Sequence, residues 1–379
     1  MKHITKKENF DLLASAIKEK NNIINNLNFN GVVSEINNFE NLEEKIKNKK
    51  ITYYSNDQIK KIRASIFYSC SLLQSVNLPM CEYVGDYAFY LCKSLQSVNL
   101  PMCSSISNYA FCANYSLQSI DLPLCDSIGS NAFEYCTSLQ SVNLPMCSWV
   151  GNSAFSNCTS LQSVSLPMCV KVANSAFYSC KSLQSIDLPM CSYLGYAAFQ
   201  NCSLLQSVNL PMCSSISGYA FRNCTSLQSI DLPMCSYISD SSFVNCTSLQ
   251  SVNLPMCVRI GVGAFSNCTT LQSVNLPVCS LVYGSTFQNC IALQSIDLPL
   301  CSRINNSAFY NCKALTNLTL GYSSIAPLNN TNAFTNTPMS DSTFTGSFGS
   351  IYVPASLVSA YKSSTNWVTY SDRITAIPQ

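Results

Sequence analysis

The residues of this chain best suited to chemistry are its 23 cysteines, which could serve as disulfide partners, soft-metal ligands or nucleophilic thiolates. Their spacing narrows those options. Eleven recur every 22 residues from Cys81 to Cys301, and eleven more share a second phase at Cys70, Cys92 and from Cys136 to Cys312. One is displaced: Asn114 holds the second-phase position and Cys112 stands two residues earlier. No C-x-x-C pair occurs, so the usual half-site for zinc is missing. Disulfides between successive units need Cβ atoms ~3.8 Å apart, closer than the ~4.8 Å spacing of stacked strands. Thiols buried as small hydrophobes are the leading reading, with disulfides and soft-metal binding as alternatives. So many thiols suit a reducing compartment during folding. Cys112, out of phase, is expected to be exposed and is the candidate reactive thiol.

Other catalytic chemistry finds little support. His3 is the one histidine and lies far from the cysteine-bearing units, which excludes histidine triads and multi-histidine metal sites. Asp121, Asp187, Asp231 and Asp297 share one phase, each preceded by Ile. One carboxylate every two or three units is too sparse for calcium, which takes 6–8 oxygen ligands. A Gly-rich phosphate loop is absent too. The reading is a non-enzyme with no catalytic residues, no metal and no cofactor.

What positions these residues is a 22-residue repeat. Its opening leucine falls at Leu73, Leu95 and every 22 residues on to Leu315, and its fullest form reads L-Q-S-V-N-L-P-M-C-x-x-I-G-x-x-A-F-x-N-C-T-S. A fixed period of 20–29 residues is the signature of a leucine-rich repeat solenoid. With the opening leucine as position 0, apolar residues at 0, 3 and 5 face inward, and the last four residues of L-Q-S-V-N-L alternate as a half-buried strand does. Pro at position 6 closes that strand, since it has no N–H to donate. Position 16 is Phe in every coil from Phe67 to Phe309. The expected fold is a right-handed solenoid with one short parallel strand per coil, twelve coils spanning roughly 55–60 Å.

The expected organisation has four parts. Residues 1–50 form a helical attachment or cap segment, 51–72 a degenerate first coil, 73–320 the solenoid, and 321–379 an irregular last coil with a C-terminal cap. In that cap IYVP (351–354) reads as a strand, 355–367 as a short helix, and Tyr361 and Trp367 as its core. Net charge is +2 overall, but residues 1–63 hold 12 basic and 8 acidic residues, so a weakly basic start precedes a nearly uncharged body. No strong field points to nucleic acid. No apolar run is long enough to span a bilayer, so no membrane insertion is expected. The start MKHITKKENFDLLASAIKEK lacks the apolar core of a Sec-type signal.

Leu-Pro ending the strand, Val84-Gly85 to Ala88-Phe89 and Ile128-Gly129 to Ala132-Phe133 across the back, and Cys three residues after the Phe resemble the BspA-type leucine-rich repeat family. The ending IYVPASLVSAYKSSTNW looks like that of bacterial members. The resemblance covers about 59–379. It implies a curved solenoid of surface or secreted proteins that adhere to host proteins or other cells. Residues 13–20 and 27–36, two amphipathic helices about a turn at Asn30-Gly31, look like a module of phage and prophage tail-associated proteins of gut Firmicutes. That resemblance implies release by lysis. The expected location is thus an extracellular surface or a virion, without a recognisable Sec signal, a cytoplasmic one staying open.

Position 10 of the coil varies, whereas the outward residues of the strand are nearly constant. It reads Tyr83, Ser105, Ser127, Trp149, Lys171, Tyr193, Ser215, Tyr237, Arg259, Leu281 and Arg303. Stacking makes these one stripe, and aromatic and cationic residues are enriched at binding hot spots. Tyr83, Trp149, Lys171, Tyr193, Tyr237, Arg259 and Arg303 are therefore the candidate partner-binding residues, with Tyr87, Tyr109, Tyr196 and Tyr219 nearby. The same pattern also arises from drift at solvent positions. The expected partner is a host or bacterial surface protein or glycan, bound by an adhesin or a phage tail-associated receptor binder. The competing expectation is a structural scaffold with no ligand of its own.

Overall fold

The computed structural model describes residues 44, 46–340 and 348–378. The solenoid occupies the second of two compact units, 52–379, the first being 1–51. The helices expected at the N-terminus, including the phage-like module at 13–36, lie outside the described residues.

The chain winds as a parallel-strand solenoid of about 14 coils with about 22 residues per turn. Each repeat in its central part carries two strands rather than the one expected. The first covers positions 2–4, as in Ser75–Asn77 or Ser141–Asn143, with its middle residue turned inward. The second is a two-residue strand at positions 10 and 11, as in Tyr83–Val84 or Trp149–Val150, exposed or half-buried then buried. It forms because an aliphatic residue at position 11 fills the core while the residue before it points out, a two-residue alternation too short to stand out in sequence.

Both strands pair in parallel with their counterparts 22 residues away, Ser75 with Ser97 and Tyr83 with Ser105. The three-residue strands form ladders of eight, three and four, the last ending in Ser350–Val353 and Ile374–Ala376. The two-residue strands form one ladder of eleven, from Lys61–Ile62 to Leu281–Val282, and isolated bridges carry it to Leu328. This second ladder is the more continuous of the two.

Between the ladders lies a core with one layer per coil. In the coil opening at Leu139, the buried apolar side chains are Leu139, Val142, Leu144, Cys147, Val150, Ala154, Phe155 and Cys158. The Phe rings stack in one column from Phe67 to Phe334, neighbouring centroids 5.0–5.7 Å apart and nearly parallel, as for Phe133–Phe155 at 5.2 Å and 0°. Tilted rings end it, Tyr54 at 4.8 Å and 55° from Phe67, and Trp367 at 6.0 Å and 39° from Phe334. Phe is flanked in each coil by two residues of left-handed φ, as with Ser153 (52°) and Asn157 (60°). Only Gly263 among them is glycine; the second position is Asn in most coils, the residue that tolerates this region best after glycine.

The C-terminal cap contains the Val358–Ser363 helix, a 3-10 turn at Trp367–Arg373 and the Ile374–Ala376 strand. Tyr361 and Trp367 are fully buried and hold both polar ends of Ala326. The Ala326 amide donates to Tyr361 Oη (2.8 Å), and Trp367 Nε1 donates to the Ala326 carbonyl (2.7 Å). Among the described residues no helix is long and apolar enough to cross a membrane.

Candidate partner-binding stripe

Position 10 lies on the continuous ladder, and its register aligns the variable residues. Trp149 pairs with Ser127 and Lys171, and Lys171 with Tyr193. Further along, Ser215 pairs with Tyr237, and Tyr237 with Arg259, which pairs with Leu281. Each faces outward because its position 11 neighbour is in the core. Tyr83, Tyr193 and Tyr237 are 39–40% exposed, Lys171, Arg259 and Arg303 are exposed, and Trp149 is half-buried. Lys171 Nζ lies 5.3 Å from the centroid of the Tyr193 ring, a cation–π contact. The stripe thus has a compact central group, Trp149–Lys171–Tyr193, and a second group at Tyr237, Arg259 and Arg303. Serines separate them from Tyr83, whose hydroxyl accepts from Ser107 Oγ (2.7 Å).

The nearby tyrosines form two separate contacts. Tyr87 and Tyr109 stack at 4.7 Å and 2°, and Tyr87 also meets Tyr90 edge-on, which in turn stacks on Tyr68. Tyr68 and Tyr90 belong to this cluster yet were not among the candidates. Their shared position 17, one residue after the Phe, was the available signal. Tyr196 and Tyr219 meet at 5.2 Å and 60°, with the Arg222 guanidinium 5.1 Å over the Tyr219 ring.

The strand at positions 2–4 carries a different surface. Its position 4 amides form runs of hydrogen bonds between coils, Asn143 Nδ2 donating to Asp121 Oδ1 (2.9 Å) and Asn275 to Asn253, then Asn253 to Asp231. A carboxylate only accepts, so Asp121, Asp187 and Asp231 each start a run. Asp121, Asp187 and Asp231 are thereby engaged in the lattice by amides. No group of three or more His, Cys, Asp or Glu that could hold a metal occurs among the described residues.

All 23 cysteines are buried. Position 8 thiols donate to the carbonyl two residues on, as Cys147 Sγ to Trp149 O (3.3 Å). Position 19 thiols donate to the Phe carbonyl of the preceding coil, as Cys158 Sγ to Phe133 O (3.0 Å). Asn114 performs this role where the thiol is missing. Its Nδ2 donates to Phe89 O and Phe111 O, while its Oδ1 is buried without a partner. The expectation of an exposed Cys112 is corrected: it is 4% exposed. Burial, then the Glu134 charge, pushes its pKa up to about 12, far from the thiolate a nucleophile needs. Displacement by two residues did not bring the thiol into water.

The profile described as BspA type leucine rich repeat region, in six copies, matches residues 3–118, 60–171, 104–214, 148–261 and 236–357. The chain belongs to the BspA-type leucine-rich repeat family. Among solved structures it is similar to a leucine-rich repeat protein from Bacteroides ovatus, with 24% identity over 86% of this chain and 92% of that one, and a TM-score of 0.61. It is also similar to a leucine rich cell surface protein from Faecalibacterium prausnitzii, at 24% identity over 85% and 90% of the two chains and a TM-score of 0.46. No curated protein matches the chain. In this BspA-type chain the largely apolar positions 0, 3, 5, 8, 16 and 19 build the layer, and position 10 varies in polarity and size. Family membership therefore fixes the frame on which the stripe is displayed.

Proposed function

We propose that this chain is a non-enzymatic recognition protein of adhesin type, which binds a surface protein of a host or bacterial cell through the position 10 stripe. The observation that carries this reading is the in-register run Trp149–Lys171–Tyr193, half-buried to exposed, with the Lys171 ammonium against the Tyr193 ring. Rings held by a rigid ladder offer large contact area with little entropy to lose on binding, and a cation between them selects a carboxylate-bearing apolar partner. Arg259 and Arg303 extend the same preference along the ladder. A glycan is a second ligand class for the same rings.

Display on an extracellular surface accords with the family, and residues 1–50 are proposed as the attachment segment. A phage-tail setting rests on residues 13–36 alone, which lie outside the described residues.

The test is binding of the labelled full chain to bacterial cells, and to mammalian cells and matrix proteins, beside the variant Trp149→Ala/Tyr193→Ala/Tyr237→Ala. Loss of central interface aromatics costs 2 kcal/mol or more each in typical cases, so binding is expected to weaken at least about tenfold. Unchanged binding by the triple variant sinks the stripe as the contact surface. Silence of the folded wild type on every panel moves the assignment to a scaffold.

A further inference from the structure

Position 7, after the strand-closing proline, places a second line of side chains in the open. It reads Met80, Met102, Leu124, Met146, Met168, Met190, Met212, Met234, Met256, Val278 and Leu300. The eight methionines are 43–55% exposed, a solvent-facing ridge of thioethers repeated coil by coil. Each is followed directly by a position 8 cysteine, which is fully buried and hydrogen-bonded to a backbone carbonyl, as Cys147 and Cys169 are. The chain thus holds its sulfur in two populations, soft accessible thioethers outside and enclosed thiols inside. Methionine has no packing role at position 7 that leucine could not fill, since Leu124 and Leu300 occupy it with similar exposure.

We propose that the methionine ridge is an oxidation site, which consumes hypohalous oxidants as sulfoxides and spares the buried thiols beside it. With hypochlorous acid the thioether sulfur donates a lone pair to chlorine, the Cl–O bond breaks and hydroxide leaves. Water then displaces chloride from sulfur and gives up two protons. The net products are a sulfoxide, chloride and one proton, and the two electrons lost by sulfur end on chloride. The product is a polar side chain on a surface already wet, so the core layers are untouched, whereas oxidation of a thiol at position 8 or 19 would put oxygen into a filled core. Burial also holds these thiols protonated, which removes their nucleophilic form.

Met339 supplies an internal control. It is 1% exposed and lies outside the ridge. The experiment treats the full chain with up to about eight equivalents of hypochlorous acid, one for each ridge methionine. Peptide mass mapping then follows sulfoxides, and alkylation after denaturation counts the surviving thiols. The ridge methionines are expected to oxidise first, with Met339 and the cysteines intact and the circular dichroism spectrum retained. The variant Met146→Leu/Met168→Leu/Met190→Leu/Met212→Leu, built on a residue the position already accepts, removes half of the ridge. At the same dose it is expected to lose at least about threefold more thiol than the wild type. Cysteine loss in step with methionine oxidation in the wild type would overturn the proposal. So would equal oxidation of Met339, or a quadruple variant whose thiols survive as well as those of the wild type.

Discussion

From Cys81 to Cys312 the position 8 and 19 thiols donate from the core to backbone carbonyls at similar distances, as at Cys136 (3.1 Å) and Cys224 (3.1 Å). Burial is the main cause that raises the pKa of nine of these cysteines, from Cys125 to Cys312, and of Cys112, to about 12, from an ordinary value of 9.0. A thiol is neutral when protonated, so its raised folded pKa leaves stability fully present below pH 9 and removes it as pH climbs from there toward 12. At pH 10 each unfolded thiol gains about 1.4 kcal/mol by losing its proton while its folded counterpart gains almost nothing. Ten such groups rival the whole stability of an ordinary domain, about 5–15 kcal/mol. The urea midpoint is expected to be flat from pH 6 to 8 and to collapse between 9 and 10. A midpoint that holds to pH 11 would contradict the account of the thiols. The sequence made the phase of the cysteines plain, and with it their place in the core. It misled at Cys112, because a shift out of phase was read as a shift into solvent.

Within the coil, the turn that carries Phe is secured by a ladder invisible to periodicity alone. Asn201, Asn223, Asn245, Asn267, Asn289 and Asn311 all occupy position 18. From Asn223 to Asn311 each Nδ2 donates to the Oδ1 one coil back, at 2.7–2.9 Å. Asn serves here twice, tolerating φ near 60° and joining neighbours by its amide. Several of these asparagines head Asn-Cys-Thr triplets, but the amide nitrogen is committed to the ladder. Asn245→Ala breaks two hydrogen bonds and strains the backbone, for an expected cost of about 2–3 kcal/mol by urea unfolding. Asn245→Gly, free of the φ penalty, should cost less than the alanine. A loss below about 0.5 kcal/mol for Asn245→Ala would show that the ladder is incidental. The three-residue strand was legible because Leu, Val and Leu mark it at positions 0, 3 and 5. The two-residue strand was not, since Tyr83–Val84 or Lys171–Val172 carries one buried residue and no alternation to read.

Across the solenoid, stability is shared between like layers, so the two ends and the variable surface are where this chain can differ from any other of its family. The Phe column shows the logic: a stack of near-parallel rings is covered at each end by a tilted ring, Tyr54 and Trp367. Trp367 was legible as cap core from its place in a non-repeating tail. Tyr54 was harder to read, because the period fails around it. The two exposed ladder faces differ in kind. One repeats Gln, Ser and Asn or Asp with little change, and its position 4 amides are spent on one another or on an Asp. The other varies along its length and carries a ring or a cation at seven of its eleven position 10 residues. Binding through the second face is the central claim. Its most direct measurement compares two triple variants of the full chain on whichever cell or matrix protein the wild type binds. One variant is Trp149→Ala/Tyr193→Ala/Tyr237→Ala, and the other is Gln140→Ala/Gln162→Ala/Gln184→Ala on the opposite ladder. The account predicts that the first loses at least about tenfold in affinity while the second binds as wild type does. The reverse pattern, with the glutamine variant impaired and the aromatic variant intact, would contradict it.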